Sequence, residues 1–67
     1  MNFSIILPTL NEKGHIINLI ESIKKNFKNK KNKFEIIIVD DNSTDGTIQL
    51  INKYIKKNKK IRIFVRR

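Results

Sequence analysis

The sequence predicts an α/β fold in which the strands of a three-stranded parallel sheet alternate with two helices. Three apolar runs have the length of strands, FSIIL at 3–7, FEIIIV at 34–39 and IRIFV at 61–65. The two segments between them space apolar residues three to four positions apart, as helices with one buried stripe do. This β-α-β-α-β order favours right-handed crossovers and is that of the first half of a nucleotide-binding α/β domain.

The first strand and helix are predicted in the N-terminal half of the chain. The β-branched run at 3–7 suits a buried strand, and Pro8, which has no N–H, is expected to end its pairing. A helix is expected over 12–27 with Asn11 as its N-cap, and a polar loop follows at 29–33. The apolar stripe of this helix consists of Ile16, Ile20, Ile23 and Phe27.

The second half of the chain repeats this alternation. The strand at 34–39 has an unbroken apolar sequence, which indicates burial on both faces, as in a parallel sheet. A helix is expected from about 44 to 57 with Ser43 as its N-cap, and a third strand is expected at 61–65. A chain of 67 residues suits one small domain or a part of one.

The chain is strongly basic, with a net charge of +9 and a pI near 10.2. Such a charge is compatible with nucleic-acid or anionic membrane binding, or with solvated lysines that reflect a compositional bias. The lysines concentrate at 24–33 and 56–60, between the periodic segments, and basic residues do not alternate with exposed aromatics. No nucleic-acid partner is therefore expected, although a small basic nucleic-acid-binding protein stays an alternative.

The sequence also bears on the cellular compartment. It contains no cysteine, which excludes disulfides and thiolate metal sites and fits a reducing compartment. The apolar run near Met1 stops at Pro8 without a preceding basic region, unlike a signal peptide. No stretch approaches the roughly 20 apolar residues of a membrane span. We therefore expect a cytoplasmic protein.

Polar residues follow the first two predicted strands. Parallel α/β sheets bind ligands outside the carboxyl ends of their strands. The segments PTLNE at 8–12 and DDNS at 40–43 lie there, and both are rich in groups that form hydrogen bonds. In a purely structural interpretation, Pro8 ends a strand, while Asp40 and Asp41 form a turn that starts a helix.

These segments resemble the start of glycosyltransferase family 2. IILPTLNE at 5–12 and FEIIIVDDNSTDGT at 34–47 are similar to the family patterns P-x-Y-N-E and E-I-[IV]-[IV]-V-D-D-x-S-x-D-G-T at a matching spacing. The resemblance covers essentially the whole chain and is strongest to the dolichyl-phosphate mannosyltransferase and polyprenyl-phosphate glycosyltransferase branch. It implies that residues 1–67 are the N-terminal, nucleotide-binding part of a Rossmann-like GT-A fold.

The resemblance also implies a donor-nucleotide pocket at the first two strand ends. Its expected lining consists of Pro8, Leu10, Glu12, Val39 and Asp41. Asp41 matches the family carboxylate that accepts a hydrogen bond from a base N–H, a role that suits an acceptor-only group. Asp40 is expected to tether the turn. Leu10 stands where the family usually has Tyr, whose ring stacks on the base, so an altered donor affinity or base preference is expected.

The implied activity is transfer of a sugar from GDP-mannose or a UDP-sugar to an acceptor, expected to be a polyprenyl or dolichyl phosphate. Such an acceptor would place the enzyme at the cytoplasmic face of a membrane. The family's D-x-D motif, which holds Mg²⁺ or Mn²⁺ against the donor diphosphate, is absent from these 67 residues. The chain is therefore expected to be a truncated or split product or a fragment, inactive alone, with no catalytic residue and no metal ligand.

Other interpretations concern the acidic turn. IIIVDDN at 36–42 is similar to the first strand of response-regulator receiver domains, whose paired acids bind magnesium, but 33 residues precede this strand here. D-x-S-x-D-G at 41–46 approximates the start of an EF-hand loop, but Asn52 occupies the position of its bidentate Glu. A receiver-like domain and a standalone nucleotide-binding module remain alternatives to a glycosyltransferase.

Overall fold

A computed structural model describes residues 3–27, 34–58 and 60–67. Its elements are β1 (Phe3–Thr9), α1 (Ile16–Phe27), β2 (Phe34–Asp40), α2 (Thr47–Ile55) and β3 (Ile61–Val65). The predicted α/β class and β-α-β-α-β order are confirmed. The polar loop predicted at 29–33 lies outside the described residues.

The three strands form one sheet in the order β1-β2-β3, and both pairs are parallel. In its register, Thr9 of β1 lies beside Asp40 of β2, which lies beside Val65 of β3. The carboxyl ends of the three strands are therefore level. As a result, the segments that follow the strands leave the sheet at one common edge.

Both helices pack on the same face of the sheet. The core consists of six isoleucines, Ile16, Ile20, Ile36, Ile38, Ile51 and Ile61, of which the most exposed is 4% accessible. They come from every element except β1, whose Ile5 and Leu7 pack against them. Each fully buried side chain of this size stabilises the fold by about 1.5–3 kcal/mol.

The opposite side of the sheet, the open face, is not covered by any described element. Ile6 and Phe64 on this face are 58% and 55% exposed, and Ile37 and Val39 between them are half-buried. The prediction that β2 is buried on both faces is therefore wrong for the described residues. The physical reason is that both crossovers run on one side of the sheet, so both helices lie there.

The first strand continues beyond its predicted end. Pro8 lies in register with Val39, so the prediction that Pro8 ends the pairing is wrong. The carbonyl of Thr9 accepts a hydrogen bond from the N–H of Asp41 at 3.0 Å, which shows that the backbone groups of Thr9 face β2. Those of Pro8 therefore point away from β2, to a side where no described strand pairs with β1 and a missing N–H breaks no pairing.

The first helix starts one turn later than predicted. Residues 12–15 form a turn in which the Glu12 carbonyl accepts hydrogen bonds from His15 N and Ile16 N at 2.9 and 2.8 Å. Asn11 is not its N-cap, because the Asn11 side chain accepts a hydrogen bond from Thr44 N at 2.9 Å instead. The Asn11 side chain thus contacts the loop after β2 instead of capping α1.

The second helix also starts later, at Thr47 rather than near 44, and ends at Ile55. Ser43 is not its N-cap, since that position is held by Gly46 at φ 97°, a left-handed conformation that favours glycine. Asp45 supplies the stabilising carboxylate, which accepts a hydrogen bond from Thr47 N at 2.9 Å. An acid at this end of a helix complements the positive end of the helix dipole.

Candidate functional site

The segments after β1 and β2 enclose a shallow concavity at the carboxyl edge of the sheet, which we call the strand-end pocket. It has a volume of about 330 Å³ and is lined by Pro8, Thr9, Leu10, Glu12, Val39, Asp41 and Arg66. All five residues that the sequence singled out thus come together in one place. Thr9 was indicated only as part of the segment at 8–12, and Arg66 was not indicated by the sequence.

The strand-end pocket combines an apolar base with polar sides. Pro8 and Val39 are neighbours across β1 and β2 and belong to the open face. Leu10 is 52% exposed, so its side chain is available to a flat ligand. Asp41 is exposed, while its N–H is held by the Thr9 carbonyl. A ligand can therefore meet apolar surface and a free carboxylate together.

The neighbouring acid, Asp40, has a different environment. It is 0% exposed and accepts three hydrogen bonds, from Thr9 Oγ1 at 2.6 Å, Ser43 N at 2.7 Å and Ser43 Oγ at 2.6 Å. The prediction that Asp40 tethers the turn is confirmed. Because these bonds occupy both of its oxygens, Asp40 shapes the pocket from behind, and Asp41 is the acid left for a ligand.

Further hydrogen bonds join the two loops that enclose the pocket. Asn11 N donates to Ser43 Oγ at 2.8 Å, and Thr44 N donates to Asn11 Oδ1 at 2.9 Å. Together with Thr9 and Asp40, these residues form what we call the inter-loop network. Asn11 adopts φ 51°, a left-handed conformation that asparagine tolerates better than most residues. The network fixes the positions of Leu10 and Asp41, which lie between its members.

Two carboxyl groups in these loops have lowered pKa values. Burial alone raises the pKa of Asp40, but the hydrogen bonds from the side chain and N–H of Ser43 and from Thr9 bring it below its ordinary 3.8. The Thr47 hydroxyl, which donates to Asp45, is the main cause that lowers the pKa of Asp45 below 3.8. Hydrogen bonds to the charged form thus outweigh desolvation at both acids.

We predict that this arrangement makes the fold sensitive to acid. A carboxyl group whose pKa is lower in the folded state stabilises the fold above its unfolded pKa of 3.8, and this stability is lost as the pH falls through the folded pKa. The urea midpoint should therefore be nearly constant between about pH 5 and 7 and should fall below about pH 4.

An Asp40→Asn variant, which cannot titrate at this position, provides the control for the acid sensitivity. It should be less stable than the parent at neutral pH, and the difference between the two should shrink as the pH falls below 3.8. A difference that stays constant from pH 7 to pH 2 would contradict the role given to the ionised Asp40.

The described residues do not offer a metal site. Within 3–27, 34–58 and 60–67, no group of three or more His, Cys, Asp or Glu side chains could hold a metal ion. Asp40, the acid nearest to Asp41 in sequence, has its oxygens occupied by hydrogen-bond donors.

A larger concavity lies at the opposite, amino edge of the sheet. It has a volume of about 620 Å³, and its lining includes Lys24, Lys25, Lys57 and Lys60. Lysines near helix carboxyl ends offset the negative end of the helix dipole, and Lys24 donates to Asn58 Oδ1 at 2.8 Å. The lysines of this basic concavity thus have a structural explanation. The strand-end pocket, in contrast, carries the exposed carboxylate of Asp41 and lies where parallel α/β sheets bind ligands.

Neither of the helices seen in the described residues has the length and apolarity that crossing a membrane requires.

Comparison with known proteins identifies relatives along nearly the whole chain. The family model for glycosyl transferase family 2 matches residues 4–67. The chain is 45% identical over 58 residues to poly(ribitol-phosphate) beta-N-acetylglucosaminyltransferase TarS of Staphylococcus aureus, covering 85% of this chain and 10% of that protein. It is 38% identical over 60 residues to dolichyl-phosphate beta-glucosyltransferase of Dictyostelium discoideum, covering 81% of this chain and 18% of that protein.

The fold comparison agrees with these sequence matches. The crystal structure of S. aureus TarS superposes with a TM-score of 0.73 at 37% identity, covering 98% of this chain and 12% of that one. The chain therefore corresponds to about a tenth of the length of TarS and shares the fold of its N-terminal, Rossmann-like GT-A region.

The relatives do not single out the mannosyltransferase branch that the sequence suggested. They include a poly(ribitol-phosphate) beta-glucosyltransferase of Bacillus spizizenii, 35% identical over 66 residues, covering 98% of this chain and 10% of that protein, besides the dolichyl-phosphate enzyme. The broader assignment does not depend on the branch. A match over residues 4–67, with the expected strands and strand-end motifs, shows that the chain belongs to glycosyltransferase family 2.

Proposed function

We propose that this chain supplies part of the donor-nucleotide pocket of an enzyme that transfers a sugar from a nucleotide-sugar donor. The observation that carries the proposal is the strand-end pocket, because all five residues expected to contact the nucleotide line it. Family membership supports the reaction class, and the position at the carboxyl ends of parallel strands is where such sheets bind nucleotides.

The chemistry of the strand-end pocket suits a nucleoside. Pro8, Leu10 and Val39 offer apolar surface to the base and ribose, and Glu12 is near enough to the same concavity to accept a hydrogen bond from a ribose hydroxyl. Asp41 can accept a hydrogen bond from a base N–H, and a charged acceptor strengthens such a bond. A carboxylate placed at the middle of the pairing edge meets a ring N–H in uracil and guanine. In cytosine and adenine it meets a ring-nitrogen lone pair, and only the exocyclic amine beside it can donate. A uridine or guanosine donor therefore fits best.

The acceptor in this proposal is a phosphate-containing chain. The name of the D. discoideum relative supports a polyprenyl phosphate such as dolichyl phosphate, which the sequence motifs also favour. The name of TarS supports a poly(ribitol phosphate) polymer. A Mg²⁺ or Mn²⁺ ion, held by residues other than those described here, would neutralise the leaving diphosphate.

Calorimetry on the intact protein tests the donor proposal. UDP or GDP should bind at least about tenfold more tightly than CDP and ADP, since losing a hydrogen bond to a charged group costs about 1.5–3 kcal/mol. Equal affinity for all four nucleotides, or no binding of any, would refute the donor pocket. Transfer assays with a polyprenyl phosphate and with poly(ribitol phosphate) then decide between the acceptors.

A further inference from the structure

We infer that Arg66 binds the diphosphate of the donor, so that the nucleotide lies across the strand ends from β1 towards β3. This inference rests on the proposed function and extends it, because neither of the two strand-end motifs nor the family patterns that they resemble include Arg66. Its first support is location, since Arg66 lines the strand-end pocket together with Asp41.

The backbone fixes where Arg66 lies. Its N–H donates to the Asp40 carbonyl at 2.7 Å, which extends the pairing of β2 and β3 by one residue. In the register, Asp40 is beside Val65, so Arg66 follows β3 at the level at which Asp41 follows β2. Leu10 follows β1 at the same level. Leu10, Asp41 and Arg66 therefore form a row along the carboxyl edge of the sheet.

The direction of the Arg66 side chain follows from the alternation along β3. Arg62 and Phe64 are exposed, whereas Ile61, Ile63 and Val65 are buried or half-buried. Arg66 continues the exposed series, which belongs to the open face, and is itself exposed. The strand-end pocket lies on this open face at the carboxyl ends of the strands, where Pro8 and Val39 also lie.

Arg66 is the cationic residue in the lining of the strand-end pocket. The other charged lining residues, Glu12 and Asp41, are both acidic and would repel a diphosphate. The ion pairs between described residues are Lys24–Glu21 and Arg62–Glu35, so neither engages Arg66. A guanidinium group binds phosphate oxygens through two parallel hydrogen bonds, a geometry that suits a diphosphate.

These positions set the orientation of the donor. The base lies between Leu10 and Asp41, and the diphosphate lies beyond Asp41 at Arg66. Adjacent strands are about 4.8 Å apart, so this row spans roughly 10 Å, a distance that an extended nucleoside diphosphate can bridge.

The test compares a nucleoside with its diphosphate, uridine with UDP or guanosine with GDP, in the intact protein. Arg66→Ala should weaken diphosphate binding by about 10- to 150-fold, the range for losing a charged hydrogen bond, and should leave nucleoside affinity within about twofold. Arg66→Lys, which keeps the charge but not the two-pronged geometry, should show an intermediate loss. Arg62→Ala is the matched control, because Arg62 lies on the same face of β3 but forms an ion pair with Glu35 at 2.9 Å. In this variant the affinities for the nucleoside and for its diphosphate should both be unchanged.

Each outcome is decisive. If Arg66→Ala weakens nucleoside and diphosphate binding equally, Arg66 contacts the base or positions Asp41, and the phosphate assignment is wrong. If it weakens neither, Arg66 does not touch the donor. In both cases the unmutated protein still binds the nucleotide, so the proposed function survives. If the unmutated protein binds neither ligand, the proposed function and this inference fail together.

Discussion

Asp41→Asn is expected to weaken donor binding in the intact protein by about 1.5–3 kcal/mol, roughly a 10- to 150-fold increase in Kd. The substitution keeps the shape of the side chain but removes its charge and replaces one acceptor oxygen with a donor amide. A base N–H that meets this amide loses its partner. Because Asp41 is exposed and lies outside the inter-loop network, the thermal stability of the fold should be unchanged. Calorimetric titration with the preferred nucleotide measures the effect.

Asp45→Asn provides the matched control for this experiment. Asp45 lies four residues further along in the same loop, but its carboxylate accepts hydrogen bonds from Thr47 N and Lys13 N at 2.9 and 3.2 Å and does not line the strand-end pocket. Its loss should therefore change donor affinity much less. Equal losses in the two variants would mean that both acids are structural, and an unchanged affinity in Asp41→Asn would remove Asp41 from the binding site.

Asp40→Ala is expected to have the largest effect on stability, a loss of several kcal/mol, since each buried donor left without a partner costs about 1–3 kcal/mol. The substitution leaves the Ser43 N–H and the hydroxyls of Thr9 and Ser43 without the acceptor that the native fold gives them. Buried donors without a partner cost far more than a mean hydrogen bond contributes. A fold of this size has a total stability of only about 0.05–0.15 kcal/mol per residue, so the variant should be largely unfolded in this region.

Urea unfolding measures this loss, and Asp41→Ala is its neighbouring control. An exposed acid outside the network should change the free energy of unfolding by no more than about 0.5 kcal/mol. Asp40→Asn should lie between the two, because the amide keeps one acceptor oxygen. Should Asp40→Ala prove no less stable than Asp41→Ala, the hydrogen bonds of Asp40 would not be a source of stability.

The sequence predicted the order of elements because that information is local. Each apolar run contains its own periodicity, and the isoleucines at helical spacing, such as Ile16 and Ile20, are indeed core residues. The helix starts were wrong because Asn11 and Ser43 have two uses for the same side chains, a local cap or a contact with another loop. A short sequence window shows only the first, whereas the structure uses the second.

The strand-end pocket was predictable only in part. Motif resemblance identified residues after β1 and β2, because both motifs are recognisable and parallel strands bring their carboxyl ends together. Arg66 was missed because no recognisable motif follows β3. A signal was nevertheless present, since the predicted third strand ends at Val65, and the residue after it must reach the same edge. Burial of β2 on both faces was overestimated because apolar composition does not reveal which faces the helices cover.

The inter-loop network has a consequence for how the protein folds. Its hydrogen bonds join the end of β1 and the loop after it to the end of β2 and the loop after that, between residues 31 to 33 positions apart in the chain. Such contacts form only after a long loop has closed, which costs conformational entropy. The pocket therefore assembles only once β1 has docked onto β2, and it is lost whenever this edge strand detaches. A nucleotide that binds only the assembled state would in turn hold β1 in place, by an amount that grows with its concentration.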